Sequence, residues 1–198
     1  GLINISMGSP GDSGLVRNAI EYARASGSMI IAAVGNNGID QVSYPAANEG
    51  VIAVGAVDAL GNHLDFSNTG RQTAISAPGF GVNAAWIADQ AASVSGTSFS
   101  SPIVAGAIAA LMSQPGSKKI TNLAAYDLIT TYLNDGGEAG ADAALGGGMP
   151  DLSRVLNRST RGIYDAAVAS QRILPPTPGN PYGQVEVLVQ NRGTEPLV

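Results

Sequence analysis

Apolar and polar positions along this chain change period several times, and the changes mark its elements. Leu2 to Met7 alternates and is rich in isoleucine, which predicts a strand closed by Gly8-Ser9-Pro10-Gly11. The period then turns helical: Leu15, Val16, Ala19, Ile20 and Ala23 share one face of a helix that Asp12 or Ser13 can cap and Gly27 can end. Met29 to Val34 is a continuous apolar run, too short for a helix and suited to a strand buried on both faces. Strand, helix and strand with short connections form a βαβ unit, hence a parallel sheet with a right-handed crossover. Val51 to Asp58 predicts another buried strand, and Leu64–Asn68 with Thr73–Pro78 complete the edge region of the sheet.

The second half is mainly helical. Ile103 to Met112 carries no charged residue and predicts a buried helix, with Pro102 in its first turn, where a missing N–H costs nothing. Thr121 to Leu133 is amphipathic, with Leu123, Tyr126, Ile129, Thr130 and Leu133 on one face. Gly136 to Gly148 is loose and glycine-rich, and Asp151 to Leu156 reads as a short closing helix with an acid at its start. Prolines cluster from Leu174 to Pro181, the composition of a linker. Beyond it, Gln184 to Gln190 alternates polar residues with valine and leucine, as an exposed-edge strand does. A lone strand is no domain. The expected organisation is therefore a main domain over 1–160, a closing segment and linker over 161–182, and the start of a β-rich domain over 183–198.

Composition adds exclusions. At 198 residues the chain is one domain, or one domain and a fragment, and long enough for a sizeable core. Its 15 acidic against 10 basic residues give no argument for nucleic-acid binding. The absence of cysteine removes disulfides, thiolate chemistry and cysteine-based metal sites. No stretch has the length of a membrane span. The chain opens on Gly1-Leu2-Ile3-Asn4, an apolar strand without a methionine, so the lack of a targeting segment carries no information.

The chemistry concentrates in Ser95-Gly96-Thr97-Ser98-Phe99-Ser100-Ser101-Pro102. A tight turn here delivers Ser98 to a helix N-terminus. There, unpaired backbone N–H groups and the positive end of the dipole favour developing negative charge. That environment suits a nucleophile whose substrate passes through an oxyanion. Read without its surroundings, the same serine is equally a helix cap. A second candidate is Gly35-Asn36-Asn37-Gly38, beyond the carboxyl end of a parallel strand, where ligands of open α/β sheets bind. Taken alone, Asn36 is a turn asparagine.

Spelling joins the two. Gly96-Thr97-Ser98-x-x-x-Pro102-x-Val104-Ala105-Gly106 resembles the nucleophile signature of the subtilisin-like serine peptidases, and Ala32-Ala33-Val34-Gly35-Asn36-x-Gly38 resembles their oxyanion motif. The resemblance covers about residues 1–157, with further echoes in Phe66-Ser67-Asn68-x-Gly70 and Ala77-Pro78-Gly79. It implies a three-layer α/β/α fold around a mostly parallel sheet, incomplete at its N-terminal side. It also implies a serine endopeptidase with Ser98 as nucleophile and the Asn36 amide as oxyanion donor beside the Ser98 N–H. Substrate contacts would come from Ser6, Met7 and Gly8, which pair an extended peptide, and from Ala33, Val34, Gly35, Asn37 and Ser43 around the S1 pocket. Tyr44-Pro45 would border that pocket, although the Ile39–Ser43 loop is shorter than in the best-known members. A small-to-medium apolar residue is the expected occupant.

The acid and base of a triad are not evident. The sole histidine, His63, follows a Gly61-Asn62 turn, the setting of a solvated turn residue, and lacks the family's His-Gly-Thr-His surroundings. Asp12-Ser13-Gly14 spells the family's aspartate motif but precedes a helix instead of ending a strand, so Asp12 is expected to be a cap. Acid and base are then expected upstream of Gly1, and residues 1–198 alone are expected to be inactive. The competing reading is a non-catalytic binding or scaffold protein of the same fold. An unrelated α/β hydrolase or nucleotide-binding domain is disfavoured: Ser98 lacks Gly-x-Ser-x-Gly, and Gly79-Phe80-Gly81 lacks a third glycine at the required spacing. The expected partner is a polypeptide substrate, with self-association through an open apolar sheet edge and a secreted or cell-envelope location by resemblance. No cofactor and no metal are predicted. Asp58 lies where some family members hold a cation, but one carboxylate is thin support for calcium, which takes roughly six to eight oxygens.

Overall fold

The structure is a computed structural model that describes residues 1–114 and 119–197; Val198, the end of the third expected segment, lies outside them. Four strands, β1 (Leu2–Ile5), β2 (Met29–Ala33), β3 (Val51–Val57) and β4 (Thr73–Pro78), lie parallel and side by side in sequence order. Their register sets Ile3 beside Ile30, Ile31 beside Ile52 and Val54 beside Ile75. On one face, Met29, Ile31, Ile52, Val54 and Ile75 meet Val104, Ile108 and Leu111 of α2 (Thr97–Met112) and Ala125 and Ile129 of α3 (Asn122–Thr131). On the other, Ala32, Val34 and Ala53 pack under Val42 and Ala46. Helix α1 (Gly14–Ala25) borders that side, where Ile20 and Arg24 share a cleft with Tyr44, Ala47 and Glu49. The α/β fold with a parallel sheet is thus present.

Several local expectations change. The apolar face of α1 is mostly in water: Ile20 is its one buried residue, and Leu15 is 81% exposed. Among the described residues β1 pairs only with β2, and α1 meets the sheet at β2. Neither expected cap acts through its side chain. Ser13 occupies the N-cap position without a side-chain hydrogen bond, and the Asp12 carboxylate pairs with Arg17. Gly27 does end the helix, with a φ of +79°. In α3 the expected face reaches the core through Tyr126, Ile129 and Leu133, Ala125 joins them, and Leu123 departs from it at 65% exposed.

The glycine-rich segment is not loose. It follows β7 (Leu133–Asn134), returns as β8 (Met149–Pro150) and lies along β4, with Gly147 N–H donating to Ala74 O (3.0 Å) and Ser76 N–H to Gly148 O (3.0 Å). Gly146 sits at φ +63°, and a side chain there would collide with the Ala74 backbone. Between β4 and α2 the chain forms a hairpin unforeseen in the sequence, β5 (Val82–Ala85) with β6 (Ala91–Val94), turning through left-handed Ala88 and Asp89. The closing helix α4 (Leu152–Asn157) is capped by Asp151, which accepts from the Arg154 N–H (3.1 Å).

At the C-terminal end, β9 (Ala166–Leu174) and β10 (Gln184–Asn191) pair antiparallel. The proline-rich stretch read as a linker is the connection of this hairpin, since Leu174 lies opposite Gln184. Its strands are tied to the main body by Gln190 Nε2 donating to Leu133 O (3.0 Å) and Arg154 Nη2 donating to Asn191 O (3.3 Å). Val185, Val187 and Val189 are exposed along one hairpin face.

Candidate active site

Helix α2 begins one residue before Ser98. Gly96 is its N-cap at φ +145°, a backbone conformation that strongly favours glycine, and a side chain there would press on the Asn36 amide at 3.3 Å. Thr97 is fully buried, and its N–H and its hydroxyl both donate to Asn36 Oδ1, each at 2.8 Å. Thr97 Oγ1 in turn accepts from the Gly35 N–H (3.3 Å). Both tethers therefore fall on the carbonyl end of Asn36. Its Nδ2 hydrogens take no acceptor among the described residues and remain available to a ligand oxygen.

Ser98 is half-buried in the first turn, where its own N–H has no intrahelical acceptor. Its Oγ donates to the Ser6 carbonyl (3.1 Å), and Ser6 Oγ donates back to the Ser98 carbonyl (2.7 Å). The second bond has a cause in the sequence. Because α2 starts at Thr97, Pro102 is its sixth residue and not in its first turn. The N–H it lacks is the one that would have bonded Ser98 C=O. Ser6 replaces that donor and so fastens the end of β1 to the Ser98 turn. Asn4 extends the link, accepting from Ser101 Oγ (2.6 Å) and donating to Ser6 Oγ (3.0 Å).

The expected substrate contacts fall into two groups. Ser6, Met7 and Gly8 leave β1 next to Ser43 and Tyr44: a Cβ on Gly8 would lie 3.0 Å from that of Ser43, and Ser9 exchanges two 2.8 Å backbone bonds with Tyr44. Met7 is 74% exposed there. Gly35, Asn37 and Ser43 lie on the loop that also carries Asn36, so these residues and Ser98 belong to one region. Ala33 and Val34 do not reach its surface. Their side chains are buried, and Val34 spends its N–H on Val54 O and its C=O on Ser43 N–H, so the pair supports the loop from behind. The Tyr44-Pro45 bond is cis.

One organiser of this loop escaped functional notice in the sequence. Asn68 is completely buried; its Oδ1 accepts from the N–H of Asn37 (2.8 Å) and Ile39 (3.4 Å), and its Nδ2 donates to Val34 O (3.2 Å) and Gln41 O (3.0 Å). The signal was an asparagine flanked by apolar and small residues near a sheet edge, which does not announce its partners.

His63 stands elsewhere. It is half-buried, not solvated, and lines a cavity of 540 Å³ with Asn134, Asp135 and Arg192, where its Nε2 has no partner among the described residues. Asp12 is held by Arg17 at the start of α1. Asp58 does not fit a cation site. Its Oδ1 accepts from the N–H groups of Leu60 (2.8 Å) and Asn62 (2.9 Å) and its Oδ2 from the Asn62 side chain (2.9 Å). Those bonds, the Asn62 side chain foremost, hold its carboxyl below the usual carboxylate range.

Ser98 at a helix start stands beside the tethered Asn36 amide on the carboxyl side of the parallel sheet, and a model of the subtilase family matches residues 2–148. The chain belongs to that family. Its relatives include subtilisin DY of Bacillus licheniformis, 40% identical over 117 residues that make up 57% of this chain and 43% of the relative. Another is a thermostable alkaline protease of Halalkalibacterium halodurans, 41% identical over 113 residues, 57% of this chain and 31% of the relative. This chain thus spans less than half the length of these curated relatives. Among solved structures it resembles the prenylagaramide maturation protease PagA, with a TM-score of 0.68, 28% identity, and coverage of 79% of this chain and 60% of that one. It shares its fold with a lanthipeptide protease at a TM-score of 0.70, 23% identity, and coverage of 80% and 61%.

Proposed function

We propose that this chain is the nucleophile-bearing portion of a serine endopeptidase that cleaves extended polypeptides. The observation that carries the reading is the double tether of Asn36 Oδ1 by Thr97, the residue before Ser98, because it presents an amide donor next to the nucleophile. Ser98 Oγ adds to the scissile carbonyl, and the oxyanion accepts from Asn36 Nδ2–H and the Ser98 N–H. Collapse expels the amine and leaves an acyl group on Ser98, which water then removes. Such donors are worth most when fixed before the charge develops. The substrate lies alongside Ser6-Met7-Gly8, which follow the end of β1, and pairs with that segment as an extended strand.

The hydroxyl proton needs a base, and the Ser98 hydroxyl bonds only the Ser6 carbonyl among the described residues. A serine without a base is a poor nucleophile at neutral pH. We assign the histidine and its aspartate to a segment upstream of Gly1, and residues 1–198 alone to an inactive state. Support comes from the place of His63 in a cavity that Ser98 does not line and from the pairing of β1 with β2 alone among the described residues. The same open edge, with Ile3 39% exposed, favours self-association of the isolated chain. A secreted or cell-envelope location completes the reading; no helix among the described residues is long and apolar enough to cross a membrane.

Fluorophosphonate labelling of the full-length gene product, read by intact mass, tests this. One adduct, absent from Ser98→Ala, is the expected result. A folded product that takes no adduct would overturn the enzymatic reading in favour of a scaffold that keeps the fold without the chemistry.

A further inference from the structure

We infer that Asn68 is a positioning residue for this site: it sets the place of the oxyanion donor and the S1 wall together, by holding the 35–43 loop from beneath. The inference rests on the peptidase reading above. The loop leaves β2 and returns at Ser43, and its backbone has no regular secondary structure to fix it. Backbone bonds fix part of it, Gly38 N–H to Phe66 O (2.8 Å), Thr69 N–H to Ile39 O (3.0 Å) and Ser43 N–H to Val34 O (2.8 Å), and a single side chain supplies four further bonds to it. Asn68 Oδ1 takes the Asn37 and Ile39 N–H groups, while Nδ2 reaches Val34 O, Gln41 O and, at 3.4 Å, Ser43 Oγ. Its backbone joins in, for the Asn68 N–H donates to Gly35 O at 3.0 Å. The residues so fixed flank Asn36 on both sides and extend to Ser43.

The chemistry of the site demands this side chain. The slot presents two N–H groups at one end and two carbonyls at the other, which only a short primary amide satisfies in one orientation. Aspartate has the same shape but sets an anionic oxygen against Val34 O and Gln41 O. Serine is too short to span both ends. Room is tight as well: a Cβ on Gly35 would lie 2.5 Å from Asn68 Nδ2 and 2.5 Å from Ser43 Oγ. Gly35 and Asn68 therefore work as a pair, the one allowing the approach that the other uses.

A loop held this way transmits a displacement at Asn68 to two functions at once. Asn36 shifts relative to the developing oxyanion, and a misplacement on the order of 1 Å costs about 100-fold in rate. Asn37 and Ser43 shift relative to the P1 side chain, which blurs discrimination between P1 residues. Ser6-Met7-Gly8 follows the end of β1 and makes no hydrogen bond to Asn68, touching the loop only where Gly8 meets Ser43, so contacts beyond P1 shift less than those at P1. A residue that merely stabilises the fold lacks this signature.

The test uses full-length gene product carrying Asn68→Asp, with Asn68→Ser in reserve should the aspartate variant not fold, and a matched core variant, Ile129→Val. Peptide substrates varied only at P1 give kcat and KM, and peptide-level hydrogen exchange follows residues 35–43. The expected result is a 10- to 100-fold fall in kcat, at least a threefold narrowing of the ratio between best and worst P1 residues, and faster exchange confined to the loop. Ile129→Val leaves the P1 ratio unchanged. A folded Asn68 variant with wild-type kcat, P1 ratio and loop exchange overturns the inference. Fluorophosphonate labelling of the wild type separates the two levels. If it labels, the kinetics decide; if it does not, the peptidase reading fails, and unchanged loop exchange in the variant then overturns the positioning role independently.

Discussion

Replacing Thr97 by valine removes one hydroxyl and almost no volume, and the structure gives the consequence in two currencies. The hydroxyl donates to Asn36 Oδ1 at 2.8 Å and accepts from the Gly35 N–H at 3.3 Å, and Thr97 is fully buried. Losing the first bond costs about 1 kcal/mol, and leaving the Gly35 N–H without an acceptor costs about 1–3 kcal/mol; the length of the second bond argues for the lower end. Burial of the added methyl returns somewhat under 1 kcal/mol. The net loss is about 1–2 kcal/mol, or roughly 2–8 °C in Tm for a unit of this size. Asn36 keeps the Thr97 N–H as its remaining tether, so a loosened donor weakens oxyanion stabilisation by about 1 kcal/mol, roughly fivefold in kcat, with KM little changed. Calorimetry and steady-state kinetics on the full-length gene product check both figures. Thr97→Ser is the control: it keeps the hydroxyl and should retain kcat. A valine variant with wild-type Tm and wild-type kcat would refute the claim that this hydroxyl orients Asn36.

Two further outcomes follow from groups outside the site. The Asp58 carboxyl is held below its ordinary 3.8 by hydrogen bonds from the Asn62 side chain, then from turn N–H groups, so its stabilisation is present above that value and lost as pH falls through the lowered one. The stability gap between wild type and Asp58→Asn in urea titrations should therefore be constant above about pH 4 and shrink below it; a gap that does not change with pH contradicts the account. Arg154 bridges three carbonyl oxygens, Leu133 O (2.7 Å) and Asn134 Oδ1 (3.2 Å) through Nη1 and Asn191 O (3.3 Å) through Nη2. Lysine cannot reproduce that fork. Arg154→Lys should speed amide exchange across 166–191 while sparing the parallel sheet, and equal protection in both forms would show that the hairpin is held by other contacts.

The parallel strands were legible because apolar runs bounded by glycine and proline have few other readings: Met29–Val34 and Val51–Val57 lie where the pattern puts them. That the Ser98 turn and Asn36 belong together was legible through motif spelling and strand-end logic. The misreadings share a cause, which is that tertiary neighbours decide what local pattern leaves open. Leu15 has the right spacing for a buried face but lies in water, since Ile20 is the residue of its helix that is buried. Pro102 looked like a first-turn residue because the helix start at Thr97 contains no apolar marker. The hairpin of β9 and β10 was hidden by a proline-rich connection whose composition equals that of a linker. Asn68 and Thr97 were invisible as organisers, since their roles lie in distances to residues 25 to 62 positions away, which no local window contains.

The order of the sheet has a consequence for how the molecule is built during synthesis. Strands β1 to β4 occupy successive places in the sheet, so each new strand leaving the ribosome meets the one just laid down and no earlier gap must be held open for a later arrival. Helix α2 is made after all four and packs against every one of them. Its seat does not exist until β4 has been added. The serine at its tip is accordingly put in place only after the four-stranded sheet has been laid down, and α3, which packs on α2, follows it.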